Sequence, residues 1–128
     1  MKLLLDTHAF LWWLVGDRRL SPRSRRAIGD ARNAVWVSAL SAWEIVLKAR
    51  VGRLPRAGAV AEDVAGAILG QGFTALDLTI AHAQRAGELP LTHRDPLDRL
   101  LAAQAIHEGL RFVSNDEAFD QLGVARFW

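Results

Sequence analysis

Four acidic side chains, far apart in the chain, are the residues best suited to chemistry. Asp6 follows a short apolar run, Glu44 and Asp116 come after two others, and Asp98 lies just beyond a proline. Two like charges about 4 Å apart repel each other by about 4 kcal/mol at an effective dielectric of 20. If these carboxylates meet, either some of them bind protons or the group binds a divalent cation, and we favour the cation.

The ligand types in the sequence restrict which cation this could be. The chain has no cysteine, so a metal would be held by oxygen or imidazole, and the four histidines lack the paired spacing of a zinc site. Carboxylate oxygens suit Mg²⁺ or Mn²⁺. Such an ion keeps several waters and can stabilise charge on a phosphodiester under attack. The sequence has no glycine-rich phosphate loop, so ATP or GTP is not expected.

The segment from His93 to Ala105 positions one of these acids. Asp95 before Pro96 is typical of a helix N-cap followed by the first helical residue, which puts Asp98 in the first turn. Leu97, Leu101 and Ala105 mark the side that packs inward. A purely structural role is the alternative, since carboxylates favour the positive end of the helix dipole.

The other acids lie at the ends of predicted strands. Asp6 and Asp116 each close a strand, and Glu44 lies in the first turn of the helix after another strand. Ser41 and Glu44 also have the spacing of a capping box, which is a structural alternative for the glutamate. Because the working site of an open α/β sheet lies beyond the carboxyl ends of its strands, we expect the four acids to converge there.

Hydrophobic patterning predicts alternating strands and helices. The predicted strands are Lys2–Leu5, Val35–Ser38, Phe73–Leu76, Arg111–Ser114 and an edge strand from Val124 to Phe127. The predicted helices are His8–Val15 capped by Thr7, Ser21 to about Ala31, Ser41 to about Gly52, Val60–Leu69, Thr79–Ala86, Asp95 to about Gly109, and a short one over Glu117–Leu122. This alternation favours a parallel α/β sheet with right-handed crossovers.

The composition is that of a globular protein. The chain has 128 residues, of which 51% are hydrophobic and 23% charged, so we expect a single domain over residues 1–128. No apolar run approaches the roughly 18 residues of a membrane helix, and we expect a soluble cytoplasmic protein.

Two segments, one basic and one apolar, are candidates for contact with other molecules. Five arginines lie between Arg18 and Arg26, a pattern that fits either contact with a nucleic-acid backbone or a solvated helix face. The helix from His8 to Val15 is apolar on every side, so it is either buried or partly covered by another chain.

Four blocks of sequence together resemble the signature segments of PIN-domain proteins, and more narrowly the VapC-type toxins of bacterial type II toxin-antitoxin pairs. The blocks are Leu4–Leu14, Ser41–Ile45, His93–Ala105 and Ser114–Asp116, and the resemblance spans nearly the whole chain. It implies a three-layer α/β/α fold with a central, mostly parallel sheet of four to five strands.

The resemblance also implies an activity. It implies an endoribonuclease dependent on Mg²⁺, with Mn²⁺ possible, that cleaves RNA to inhibit translation and growth. Asp6 and Asp98 would be the surest metal ligands, and Glu44 and Asp116 would complete the metal pocket and position the attacking water. The residues implied in supporting roles are Thr7, Asp95, Arg99 and Asn115. A homodimer and a cognate antitoxin are the implied protein partners, and the apolar helix with Trp12 and Trp13 is a candidate for these contacts.

Two other classes of protein fit an acidic pocket at a sheet edge. A phospho-receiver domain would need a lysine near the site and an adjacent acidic pair at Asp6, and neither Lys2 nor Lys48 follows a late strand. A module that binds RNA or a partner without cutting is the third possibility, which four acids at one edge disfavour.

Overall fold

A single parallel sheet organises the chain. The computed structural model describes residues 1–54 and 56–128. The strands are β1 (Lys2–Leu5), β2 (Ala34–Ser38), β3 (Thr74–Leu76), β4 (Arg111–Val113) and β5 (Arg126–Phe127). They form a five-stranded sheet in the order β3-β2-β1-β4-β5, and each neighbouring pair is parallel.

Helices cover both faces of this sheet. They are α1 (Thr7–Val15), α2 (Pro22–Gly29), α3 (Ala39–Arg50), α4 (Gly58–Glu62), α5 (Val64–Gly70), α6 (Ile80–Glu88), α7 (Pro96–Glu108) and a 3-10 helix (Glu117–Leu122). The predicted three-layer α/β/α architecture is therefore confirmed, with five strands.

The central strand shows why the sheet is covered on both sides. Leu3 and Leu5 belong to the core that β1 shares with α1, α2 and α5, whereas Leu4 belongs to the core that it shares with α6, α7 and the 3-10 helix. Alternate residues of a strand point to opposite faces, so an uninterrupted run of leucines requires two apolar layers. All three leucines are fully buried.

The strand order creates a switch point beside β1. The chain passes from β1 to β2 and β3 on one side, then returns to place β4 on the other side of β1. Crossovers therefore diverge on either side of the central strand, and the loops after β1 and β4 leave a crevice at the carboxyl edge. Asp6 and Asp116 are in these two loops.

Two predicted helix starts are wrong by a few residues. Asp6, not Thr7, is the N-cap of α1, and its carboxylate accepts a hydrogen bond from the Thr7 main-chain nitrogen. Ser38 is the N-cap of α3, so Ser41 is inside the helix and no capping box with Glu44 forms. In both cases the strand leads directly into the helix, and the polar residue at the junction serves as the cap.

The segment from Val60 to Leu69 is two helices rather than the one predicted. The chain breaks at Asp63, whose carboxylate accepts a hydrogen bond from the Gly66 main-chain nitrogen at 2.9 Å and caps α5. An aspartate that bonds the backbone locally competes with helix continuation, an effect that apolar periodicity does not register.

Candidate active site

Asp6 lies at the centre of the carboxyl edge of the sheet. Its Oδ1 accepts a hydrogen bond from the Thr7 main-chain nitrogen at 2.8 Å, and its Oδ2 accepts one from the Ser114 hydroxyl, also at 2.8 Å. Burial raises the pKa of Asp6 to about 6, against these two hydrogen bonds, and the negative charges of Glu44 and Asp98 add to the rise.

Asp98 is the third residue of α7, as the Asp-Pro N-cap predicts. Its Oδ2 lies 2.8 Å from Nε2 of His93, in the loop before the helix. Burial raises the pKa of Asp98, the hydrogen bond from His93 lowers it, and the charges of Asp95 and Asp116 raise it further. Asp98 is thus close enough to Asp116 for their charges to interact.

Glu44 reaches the same edge from α3. It lies in the second turn of that helix and is half-buried. Its Oε2 forms an ion pair with Nζ of Lys48 at 2.6 Å, one turn further along. A lysine therefore lies beside the acids, although on the helix of Glu44 rather than after a late strand.

Asp116 is the most exposed of the four acids. It caps the 3-10 helix by accepting a hydrogen bond from the Ala118 main-chain nitrogen at 2.9 Å. Its own main-chain nitrogen donates to the Ser114 hydroxyl at 3.1 Å, and that hydroxyl donates to Asp6. Ser114 therefore couples the loop after β4 to the carboxylate at the end of β1.

The four acids come from four elements and meet at one edge. The charges of Glu44 and Asp98 each raise the pKa of Asp6, and the charge of Asp116 raises that of Asp98. Like charges grouped in a half-buried site favour a bound cation, because a cation offsets both the cost of burying the charged Asp6 and the repulsion from its neighbours. The donors are all carboxylate oxygens, which fits Mg²⁺ or Mn²⁺.

The spacing of these acids fits an ion that retains part of its water shell. Within the described ranges, no three ligand atoms of the four acids lie within 4.8 Å of one another. Mg²⁺ is usually bound by one or two carboxylates and several waters, so a wider ring of acids is compatible with it.

One other group in the described part of the chain does have three ligand atoms within 4.8 Å, namely His82, His107 and Glu108. Nδ1 of His82 accepts a hydrogen bond from the Thr79 main-chain nitrogen at 3.1 Å, so the ring proton is on Nε2, which lies 2.8 Å from Glu108. A metal-binding histidine normally donates from its other nitrogen. Because Nδ1 of His82 accepts this hydrogen bond, the residue is not arranged as a metal ligand. Its contacts are explained by its role in capping α6.

Four residues were predicted to support the acids. The Thr7 hydroxyl donates to the Ser41 hydroxyl at 2.9 Å and joins α1 to α3. Asp95 caps α7 through the nitrogens of Leu97 and Asp98. Asn115 is exposed, and its side chain makes no hydrogen bond with the described residues.

Arg99 acts on the loop before α7. Its guanidinium donates to the main-chain oxygens of four residues at 2.5 to 2.9 Å: Ala86, Leu89, Pro90 and His93. These bonds fix the loop that carries His93 beside Asp98.

Three residues whose side chains contact the acids were not among the predicted site residues, namely Ser114, Lys48 and the His93 described above. Ser114 directly precedes Asn115 and Asp116, and Lys48 is four residues after Glu44 on the same helix. Position i+4 from a glutamate on a helix is a detectable signal for the lysine. Nothing in the local sequence indicates that the Ser114 hydroxyl contacts Asp6, since that contact joins residues 108 positions apart.

Comparison with known proteins shows the family of this chain. A family model described as "PIN domain" matches residues 3–125. Ribonuclease VapC22 of Mycobacterium tuberculosis is 33% identical over 115 residues, which cover 89% of this chain and 86% of that protein. The chain therefore belongs to the PIN-domain family, and the predicted resemblance to its VapC-type members is confirmed.

Solved structures show the same fold. VapC20 of Mycobacterium tuberculosis, described as a toxin that cleaves the sarcin-ricin loop, superposes with a TM-score of 0.70 at 20% identity and covers 98% of both chains. DNA-bound VapBC from Salmonella typhimurium gives a TM-score of 0.70 at 20% identity, over 98% of this chain and 96% of that one. Among the residues described here, no helix is long and apolar enough to cross a membrane.

Proposed function

We propose that this protein is the endoribonuclease toxin of a type II toxin-antitoxin pair, dependent on Mg²⁺ with Mn²⁺ as a possible substitute. The observation that carries the proposal is the meeting of Asp6, Glu44, Asp98 and Asp116 at the carboxyl edge of the sheet, where burial and the neighbouring charges raise the pKa of Asp6. Such a group of acids suits a divalent cation. The similarity to Ribonuclease VapC22 supports RNA as the substrate.

In this proposal each acid has a defined role. Asp6 and Asp98 hold the ion, while Glu44 and Asp116 complete its pocket and orient the attacking water. The bound ion would supply charge neutralisation for a phosphodiester under attack and a more acidic water. The Ser114 hydroxyl and the Thr7 nitrogen fix the Asp6 carboxylate, and Lys48 places a positive charge beside Glu44.

We further propose a cognate antitoxin that covers the acidic edge and neutralises the toxin. The VapBC complex among the similar structures supports a partner of this kind. Inhibition of translation and growth would follow from RNA cleavage in the cytoplasm. We also propose that residues 1–128 form one PIN domain, which the family match over residues 3–125 supports.

A homodimer is part of the same proposal. Trp43, Val46 and Leu47 are 60%, 39% and 44% exposed and share one face of α3, at spacings i, i+3 and i+4. An exposed aromatic and aliphatic helix face of this kind is typical of a protein interface.

Mapping RNA ends after induced expression tests the function. We expect growth to stop and new RNA ends to accumulate with the wild-type protein, and Asp6→Ala to lower the purified protein's Mg²⁺-dependent cleavage rate by about 100-fold or more. Asp30→Ala is the control, because Asp30 is paired with Arg32 outside the acidic site. Equal cleavage by the wild type and Asp6→Ala would contradict the proposal.

The same experiment separates the alternatives. A phospho-receiver would be labelled on an aspartate by acetyl phosphate, and a binding module would retain RNA without producing ends. Strand order also disfavours the receiver, since that class has the order 2-1-3-4-5 and this chain has β3-β2-β1-β4-β5.

A further inference from the structure

A cavity of about 400 Å³ opens along α1, beside the acidic site. Its apolar wall includes Leu11, Trp12 and Leu54, and its charged lining consists of Asp17, Arg19, Arg53 and Arg56. We call it the α1 cavity. Three guanidinium groups and one carboxylate give its rim a positive balance.

The single acid of the lining is already neutralised. Asp17 forms an ion pair with Arg19, with Nη2 and Oδ2 at 2.8 Å and the Arg19 main-chain nitrogen 2.9 Å from Oδ1. These hydrogen bonds from Arg19, with a smaller contribution from the charge of Arg56, lower the pKa of Asp17 to about 2. Because Arg19 neutralises the carboxylate of Asp17, the charges of Arg53 and Arg56 can attract an anionic ligand.

Arg19 also forms a flat surface in the α1 cavity. Its guanidinium lies 4.9 Å from the centre of the Trp12 ring, and the bond to Asp17 holds it in that position. Unpaired RNA bases stack on aromatic rings and on guanidinium planes. The layered Trp12 and Arg19 side chains thus offer a surface for one face of a base.

His8 connects the cavity to the acidic site. This residue lines the α1 cavity and lies two positions after Asp6. Its ring centre lies 5.7 Å from that of Trp12, so the first turns of α1 run from Asp6, the cap of the helix, directly to the cavity wall. A strand held at the acids would therefore continue past His8 into the cavity.

We propose that the α1 cavity binds one nucleotide of single-stranded RNA next to the cleaved phosphodiester, with its base on Arg19 and its phosphate at Arg53 and Arg56. This proposal rests on the proposed ribonuclease function. A flat cationic surface beside the acids favours RNA over an acidic peptide, which would need the arginines but no stacking plane.

Steady-state cleavage of a short single-stranded RNA that spans the mapped site tests the proposal. The variants are Arg53→Gln with Arg56→Gln, and Arg19→Gln alone. Arg32→Gln is a matched control, because Arg32 pairs with Asp30 at 2.8 Å with the same spacing but does not line the cavity. We expect KM to rise about tenfold in the double variant and several-fold in Arg19→Gln, with kcat unchanged in both. Arg32→Gln should change neither KM nor kcat.

Binding of fluorescent oligouridine to the Asp98→Asn protein in Mg²⁺ gives a readout without cleavage. In this background, Arg53→Gln with Arg56→Gln should raise Kd by the same factor as KM. It should also reduce the slope of log Kd against log salt by about 1.4. If no RNA is cleaved, the proposed function fails, and this binding measurement alone decides whether the cavity holds a nucleotide.

Two results would overturn the inference. One is that the double variant and Arg19→Gln match Arg32→Gln in both KM and Kd. The other is that the double variant loses affinity for the antitoxin while its KM and Kd for RNA stay at wild-type values, which would assign the cavity to a protein partner.

Discussion

At Asp6, burial and neighbouring negative charge act in the same direction. A carboxyl group with a folded-state pKa of about 6 holds its proton more tightly than in the unfolded chain, where the value is 3.8. Between these values the folded protein binds more protons, so stability from this group is present below about pH 4 and is lost as the pH rises through 6. The shift corresponds to at most about 3 kcal/mol.

Replacing Asp6 should therefore stabilise the metal-free protein. In EDTA at pH 7 we expect Asp6→Asn to raise the free energy of unfolding by about 1 to 3 kcal/mol, because one of the crowded charges is gone. The gain should vanish near pH 4, where the wild-type carboxyl is protonated in both states.

Urea unfolding of both proteins from pH 4 to pH 8 measures this difference. Asp120→Asn is the control, since Asp120 is exposed and its pKa is lowered by the hydrogen bond from Arg126, opposite in direction to that of Asp6. A lower urea midpoint for Asp6→Asn at pH 7 would show that the charged Asp6 carboxylate does not destabilise the metal-free protein.

Among the elements, a buried glutamine fixes α7 against the start of α3. Gln104 of α7 is fully buried, and its Oε1 accepts a hydrogen bond from the Ser38 hydroxyl at 2.5 Å. Its Nε2 donates to the Asp77 main-chain oxygen at 3.3 Å. Since α3 carries Glu44 and α7 carries Asp98, this contact sets the relative position of two of the acids.

Loss of this contact should impair both stability and turnover. We expect Gln104→Leu to lower the free energy of unfolding by about 1 to 3 kcal/mol, because buried polar partners lose their hydrogen bonds. We also expect kcat to fall with little change in KM, because the acids are misplaced while the RNA-binding surface is retained.

The exposed Gln84→Leu is the matched control and should change neither quantity. Ser38→Ala removes the same bond from the other side and also removes the N-cap of α3, so it should cost less when added to Gln104→Leu than when made alone in the wild type. Fully additive losses of stability and kcat in the double variant would refute a shared contact.

For the whole molecule, the exposed face of α3 is the region best suited to self-association. Burying Trp43, Val46 and Leu47 against a second copy would remove a contiguous apolar patch from water. Light scattering after size exclusion should give a dimer mass for the wild type and a monomer mass for Trp43→Glu, because a charge would be buried unpaired.

Leu69→Glu provides the comparison, since Leu69 is 71% exposed but lies on α5. It should leave the dimer intact. A wild-type protein that is monomeric at every concentration tested, or a Trp43→Glu variant that remains dimeric, would rule out this interface.

Strong local signals explain which elements could be predicted. Asp95 and Pro96 define the start of α7, and the leucines after Lys2 define a strand buried on both faces. The split at Asp63 was missed, because the competing hydrogen bond to Gly66 leaves the apolar spacing unchanged. The pattern does not predict the cap at Ser38, because this serine is also the last residue of β2.

The sequence by itself determined the alternation of strands and helices and the four acids expected at the carboxyl ends of the strands. Both depend on local spacing and chirality, which neighbouring residues specify. Only the tertiary structure decided which groups hold those acids, including Ser114 on Asp6 and His93 on Asp98, and that Arg19 lies over Trp12. Such contacts depend on burial and on distances between separate elements, and these are defined only once the layers have packed together.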